Sequence, residues 1–281
     1  MESLLVHLPA LLKLCVAALI FAIGLGSSLG DLTYLGRRPG LLLRSLLAMY
    51  VLVPLAALAF AKLLPLAAGV KAALLVLAVS AGAPLLPRKL SKLGGGAYPF
   101  SLVVVSSLLA IVLVPAWIEL LGRHFERDVD VSSVTVATLI VKAFLAPLAA
   151  GMLLRLASPA LCERASDLLM KVAGVVLTLT GLLLLALNWR LLLQLQGPGM
   201  LALASLMTVA LAVGHLLGGP TEDDRTALAI ACATRHVGIA VLVASAFPGL
   251  RTVTVIAAYT IASLLVSVPY LAWRRRKETA A

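Results

Sequence analysis

Nine long apolar segments, separated by short polar stretches, dominate this sequence. A helix that crosses a bilayer needs about 20 predominantly apolar residues, and each segment reaches that length. Hydrophobic residues make up 62% of the 281-residue chain, against roughly 45–50% in a soluble domain. A soluble core cannot bury so much apolar surface. We therefore predict an all-α integral membrane protein with nine transmembrane helices, over residues 4–29, 40–65, 70–93, 97–121, 133–155, 164–189, 198–219, 223–247 and 250–273.

The basic residues are distributed unevenly between the two sets of span ends. Fourteen of the 23 Lys and Arg residues fall on one side of the predicted bundle and six on the other. Cytoplasmic loops carry the excess of Lys and Arg, so we predict an external N-terminus and a cytoplasmic C-terminus, in a bacterial inner membrane. This placement also explains the net charge of +11 without a nucleic-acid partner. The three cysteines are widely spaced and predict neither a disulfide framework nor a metal site.

The third predicted span is interrupted near its end. It carries Pro84 and Pro87 shortly after Ser80, and each proline removes a backbone donor and clashes with the preceding turn. A continuous helix through this segment is not expected. Arg88 and Lys89 follow the break, where they either face a cavity or lie at the cytoplasmic edge.

The eighth predicted span places three polar residues, Thr234, Arg235 and His236, at the centre of an apolar segment. Arg235 lies eleven residues beyond Asp224, or roughly 16 Å along a helix, which is close to the membrane midplane. A central arginine costs about 2.5–3.5 kcal/mol even on lenient insertion scales, and intramembrane charges mark functional sites. A structural arginine at a helix break is the alternative. No carboxylate lies at mid-membrane depth.

Interrupted segments at corresponding places in two halves point to the site of a secondary transporter. The third span is next to last in the N-terminal group of four, and the eighth is next to last in the C-terminal group of five. The halves match if the first repeat lacks its first helix. We therefore predict an inverted-repeat transporter fold in which these two broken helices cross.

In these features the chain resembles the bile acid:sodium symporter family, over nearly its whole length. The resemblance rests on an ordered set of short motifs: Phe21–Gly26, Arg38-Pro39, Leu52-Val53-Pro54, the proline-broken third span, Ser106–Leu109 with Pro115, Gly219-Pro220, Asp224, and Thr234–Ala240. It implies ten helices in the full family form and nine where the first is missing. It also implies a core domain, here residues 40–121 and 198–273, that rocks against a panel domain, here residues 4–29 and 133–189.

The chain departs from the pattern that this resemblance implies for sodium binding. Ala231 stands where sodium-coupled members have a glutamate, Arg235 where they have a glutamine, and His236 where an asparagine follows. Sodium needs hard oxygen ligands, and a guanidinium has the wrong charge. The sequence therefore predicts that the usual sodium sites are missing.

These observations predict a secondary transporter that moves a small anionic solute through the bilayer, with no cofactor, metal or enzymatic activity. A sodium- or proton-coupled organic-anion symporter of the same family, or a channel or sensor on the same fold, are the alternatives. The sequence does not indicate an oligomeric state. The predicted binding residues are Ser80, Pro84, Pro87, Arg88, Lys89, Thr234, Arg235 and His236.

Overall fold

The computed structural model of the protein describes residues 2–80, 96–124, 133–187, 197–235, 240, 259, 262, 263, 266–274 and 276. Within these residues every regular element is helical, as the apolar segments predict. The helices in chain order are α1 (Glu2–Gly26), α2 (Leu29–Thr33), α3 (Pro39–Leu47), α4 (Val53–Leu63), α5 (Ala68–Val79), α6 (Ala97–His124), α7 (Ser133–Ile140), α8 (Ala146–Ala157), α9 (Pro159–Leu187), α10 (Gly197–Leu217) and α11 (Glu222–Ala233). Residues 266–274 are helical as well.

Three helical stretches in the described residues are long and apolar enough to cross a membrane. They are Pro39–Leu63, Ala97–Trp117 and Pro198–Leu217, and they fall on the predicted spans 40–65, 97–121 and 198–219. Two shorter apolar helices, Leu14–Gly26 and Val70–Val79, fall on the predicted first and third spans. The chain is thus an all-helical membrane protein, and the count of nine spans stays a prediction.

Proline explains a local widening of the second apolar helix. A π-helical turn, Ala48–Leu52, joins α3 to α4, and Pro54 follows it in the first turn of α4. Proline clashes with the carbonyl four residues earlier, here that of Tyr50, and a π-turn accommodates the clash. The Trp117 indole N–H donates to the Tyr50 carbonyl oxygen at 3.1 Å. The hydrogen bond keeps that carbonyl paired and ties α6 to the second helix.

Helix α1 packs along α8 and α9, and small residues allow the close approach to α8. A Cβ atom added to Gly24 would lie 2.4 Å from the Leu148 carbonyl oxygen and 3.1 Å from the Cα atom of Gly151. Membrane helices approach closely where glycine removes the side chain. Arg155 at the end of α8 donates from Nη1 to the Leu25 carbonyl oxygen at 3.0 Å, which satisfies an orphan carbonyl at the end of α1.

Helices α10 and α11 form the other tightly packed pair. Thr221 caps the start of α11, and its hydroxyl accepts a hydrogen bond from the Asp224 backbone N–H at 3.1 Å. Three acidic residues in the first turn, Glu222, Asp223 and Asp224, complement the positive end of the helix dipole. These capping and charge interactions define the start of α11, which then runs to Ala233, just before the interrupted segment.

Glu222 connects the start of α11 to the helical segment 266–274. Arg274 and Arg225 each donate from Nη1 to a different oxygen of the Glu222 carboxylate. Arg274 also donates from Nε to the Thr226 hydroxyl at 2.8 Å. The Arg274 side chain is 2% exposed and that of Arg225 is 41% exposed, so the two ion pairs differ in burial while sharing one acid.

This pair provides a matched stability test. We expect Arg274→Ala to lower the free energy of unfolding by about 1–3 kcal/mol, because it removes two charge-assisted hydrogen bonds from a buried position. Arg225→Ala should cost at most about 1 kcal/mol, since exposed ion pairs contribute little. The thermal midpoint of the detergent-solubilised protein measures both effects, and equal shifts would contradict this assignment.

Candidate functional site

The first candidate break is the end of α5. This helix has 12 residues, and Ser80 follows it with φ −79° and ψ 54°, outside the helical region. The Ser80 hydroxyl donates to the Val76 carbonyl oxygen at 2.6 Å, and the Ser80 backbone N–H donates to the same oxygen at 3.1 Å. The other candidates from this segment lie outside the described residues: Pro84, Pro87, Arg88 and Lys89.

The second candidate break is the end of α11, and it repeats this pattern. Helix α11 also has 12 residues, and Thr234 follows it in an extended conformation. The Thr234 hydroxyl donates to the Ile230 carbonyl oxygen at 2.6 Å, and the Thr234 backbone N–H donates to it at 2.8 Å. His236 lies outside the described residues. Two helices of equal length thus end with the same hydroxyl cap.

The two helix ends meet at one cavity. Its lining includes Leu77 and Ala78 from the last turn of α5, and Cys232 and Ala233 from the last turn of α11. Ser80 and Thr234 are buried beside these residues without lining the cavity. A helix C-terminus carries a partial negative charge, so the meeting point of two such ends favours a cation. In secondary transporters the ends of broken helices coordinate coupling ions in this way.

Arg235 supplies a positive charge at this point. It comes two residues after the last residue of α11, lines the cavity, and is 6% exposed. Both Nη1 and Nη2 are buried without a hydrogen-bond partner in the part of the chain that the structure describes. An isolated buried charge is strongly unfavourable in an apolar setting. The guanidinium therefore presents an unused pair of donors, whose planar fork suits a carboxylate or another oxyanion.

The rest of the cavity wall is apolar apart from one tyrosine. Helix α4 contributes Val53, helix α10 contributes Leu206, Met207 and Ala210, and Tyr259 completes the described lining. The cavity volume is about 10 Å³, which is barely enough for one water molecule. Any solute larger than water therefore needs these described walls to move apart.

Among the described residues, no carboxylate lines the cavity that holds Arg235. Ala231 is fully buried in α11 and offers no side-chain ligand. The Val76 and Ile230 carbonyl oxygens each accept two hydrogen bonds already. Among the described residues no group of three or more His, Cys, Asp or Glu side chains is placed to hold a metal ion.

Tyr259 is a site residue that sequence reasoning missed. Its hydroxyl donates to the Ala233 carbonyl oxygen at 2.6 Å, within a fully buried environment. A lone tyrosine in an apolar span gives no signal of its own, because such residues are common in membrane helices. Its position opposite the break could have been suspected only from the pairing of the eighth and ninth predicted spans.

A larger groove, of about 540 Å³, lies between α1 and α9. Its lining is apolar except for Ser158 and Cys162, so it offers no charge that would select a solute. The smaller cavity at Arg235 therefore remains the candidate site.

Comparison with known protein families gives a match. The family model described as the Sodium Bile acid symporter family matches residues 13–195, about two thirds of the chain. The matched stretch includes α5 and the first candidate break, and it stops before α10, α11 and Arg235. No curated protein matches the chain significantly.

Proposed function

Since the chain belongs to the sodium bile acid symporter family, we propose that it is a secondary transporter that carries a small anionic solute by alternating access. Members of this family are transporters rather than enzymes. In this proposal Arg235 is the counter-charge of the solute, and transport proceeds without the usual sodium sites.

One observation carries the proposal: Arg235 is buried at the meeting point of two helix ends, with two guanidinium nitrogens unpartnered among the described residues. A purely structural arginine would be expected to donate hydrogen bonds from its guanidinium to nearby carbonyl oxygens. At the ends of α5 and α11, the carbonyls of Val76, Ile230 and Ala233 already accept hydrogen bonds from the hydroxyls of Ser80, Thr234 and Tyr259. An anion that enters the cavity would complete the coordination of the guanidinium.

The same position explains how sodium would be dispensable. Two helix C-termini favour a cation between them, and a fixed guanidinium provides that charge permanently. Its donors then remain available to the solute, whereas a bound sodium ion would have to arrive with it. Ala231 supports this view, because it removes the carboxylate that a sodium ion would need.

We further propose the nine-span inverted repeat, with α1 and α7–α9 forming the panel and α3–α6, α10, α11 and the last span forming the core. Movement of the core against the panel would open the cavity to each side in turn. The Lys and Arg distribution favours a cytoplasmic C-terminus and a bacterial inner membrane. The proposed binding set keeps Ser80, Pro84, Pro87, Arg88, Lys89, Thr234 and His236 around Arg235.

Proteoliposome uptake tests the proposal. We expect the purified protein to accumulate at least one of five labelled anions (acetate, pyruvate, succinate, phosphate and taurocholate) when potassium replaces sodium on both sides of the membrane. Protein-free liposomes are the control. Uptake that requires an inward sodium gradient would contradict the proposal that Ala231 and Arg235 replace the usual sodium sites. Uptake that requires a pH gradient would favour the proton-coupled alternative, and unsaturable flux would indicate a channel.

A further inference from the structure

Tyr259 is joined to the backbone at the helix break. Its hydroxyl donates to the Ala233 carbonyl oxygen at 2.6 Å. Its ring also lines the cavity that holds the guanidinium. One side chain thus contacts both the last residue of α11 and the cavity of Arg235, and it lies 24 residues further along the chain than Arg235.

The Ala233 carbonyl needs such a partner. Ala233 is the last residue of α11, so its carbonyl has no partner within the helix. A buried backbone group without a hydrogen bond is costly, and the phenol hydroxyl is a donor. The Tyr259 hydroxyl satisfies this carbonyl, two residues before Arg235.

We propose that Tyr259 is a positioning residue that fixes the backbone beside Arg235 and thereby holds the guanidinium in the cavity. The inference rests on the proposed function, because it assigns Tyr259 a role in presenting Arg235 to an anion. Without the hydroxyl, the Thr234 hydrogen bonds to Ile230 are the remaining described anchors of this segment, and the direction of the two Nη atoms is less well fixed. The ring would still fill its space.

Cys232 allows the direction of the charge to be measured without a known solute. It lines the same cavity, and all three cysteines, Cys15, Cys162 and Cys232, are buried and free. The experiment uses a Cys15→Ala, Cys162→Ala background, so that Cys232 is the remaining thiol. Two methanethiosulfonate reagents label it when the cavity opens: an anionic sulfonatoethyl reagent and a cationic trimethylammonium-ethyl reagent. The labelling rate is measured separately for each. Each rate is divided by the rate with 2-mercaptoethanol, and the anion-to-cation ratio reports the local charge.

We expect this ratio to be about tenfold or more in the parent protein and to fall about threefold in Tyr259→Phe. Tyr98→Phe is the matched control. The buried Tyr98 hydroxyl lies 2.8 Å from the Ser45 hydroxyl, and Tyr98 does not line the cavity. This substitution should leave the ratio unchanged. A merely structural loss would change both labelling rates together and not their ratio. If Tyr259→Phe does not yield monodisperse protein, Tyr259→Leu, which also removes the hydroxyl and adds no charge, is measured in its place with the same expectation.

The Arg235→Gln and Tyr259→Phe measurements distinguish a failure of the proposed anion site from a failure of the positioning role of Tyr259. A parent ratio near one, unaffected by Arg235→Gln, overturns the proposed anion site itself. A high parent ratio that falls in Arg235→Gln but is unchanged in Tyr259→Phe overturns the positioning role alone.

Discussion

Gly214→Ala is expected to lower the stability of the folded protein by about 3 kcal/mol, although it adds a single methyl group. A Cβ atom at Gly214 would lie 2.5 Å from the Ala229 Cα atom and 2.5 Å from the Leu228 carbonyl oxygen. Both are backbone atoms of α11, so no side chain can turn away to make room. The added methyl therefore forces α10 and α11 apart, and these helices bring their residues to the wall around Arg235.

Gly40→Ala is the matched control for this substitution. Gly40 lies in the first turn of α3, and a Cβ atom there would meet no atom within 4 Å. Alanine is a better helix former than glycine, so this change should raise stability by up to about 1 kcal/mol. The two substitutions are chemically identical and opposite in expected sign. Both stability changes are measured as the thermal midpoint of the solubilised variant, read as the loss of the monodisperse peak in size-exclusion chromatography after heating. Similar midpoints for the two variants would contradict the close packing at Gly214.

The sequence was enough to predict the helical membrane class. Long apolar segments leave few alternatives in a bilayer, since every backbone group must be paired within a helix. Ser80 and Thr234 belong to the two segments in which interruptions were predicted, and α5 and α11 end immediately before them. The break predicted at Pro84 and Pro87 lies outside the described residues. The polar residues in an otherwise apolar segment marked Arg235 because an unneeded intramembrane charge is too costly to keep.

The sequence did not indicate how the two breaks meet. The equal hydroxyl caps, the shared cavity and the Tyr259 hydrogen bond depend on contacts between residues far apart in the chain, and local patterns carry no signal of such contacts. Gly214 and Gly24 looked like ordinary glycines, although each lies against the backbone of another helix. The roles of His236, Pro84, Pro87, Arg88 and Lys89 stay predictions, because these residues lie outside the described part of the chain.

Arg235→Gln is expected to reduce the apparent affinity for the transported anion by about 10- to 150-fold. Hydrogen bonds to a charged group contribute about 1.5–3 kcal/mol, and each 1.4 kcal/mol is a factor of ten in affinity. Glutamine keeps a polar side chain of moderate length, but it removes the charge and one arm of the donor fork. The helix ends would then lack their cation, so transport at saturating solute should fall as well.

Arg235→Lys separates charge from geometry. Lysine keeps the positive charge between the two helix C-termini but presents a single ammonium group in place of the planar fork. We expect its affinity for the anion to lie between those of the parent protein and Arg235→Gln. Monodisperse elution in detergent shows whether each variant is folded before its transport is compared.

The decisive measurement is the initial rate of uptake of whichever of the five anions is transported best. Potassium is the only alkali cation present. The parent, Arg235→Lys and Arg235→Gln proteins are reconstituted at equal density. An anion carrier with a fixed internal counter-charge gives sodium-free uptake in the parent, reduced uptake in Arg235→Lys, and uptake in Arg235→Gln close to that of empty liposomes. Equal rates for the parent and Arg235→Gln would contradict the role of Arg235, and a parent rate at the empty-liposome level until sodium is added would contradict transport without sodium sites.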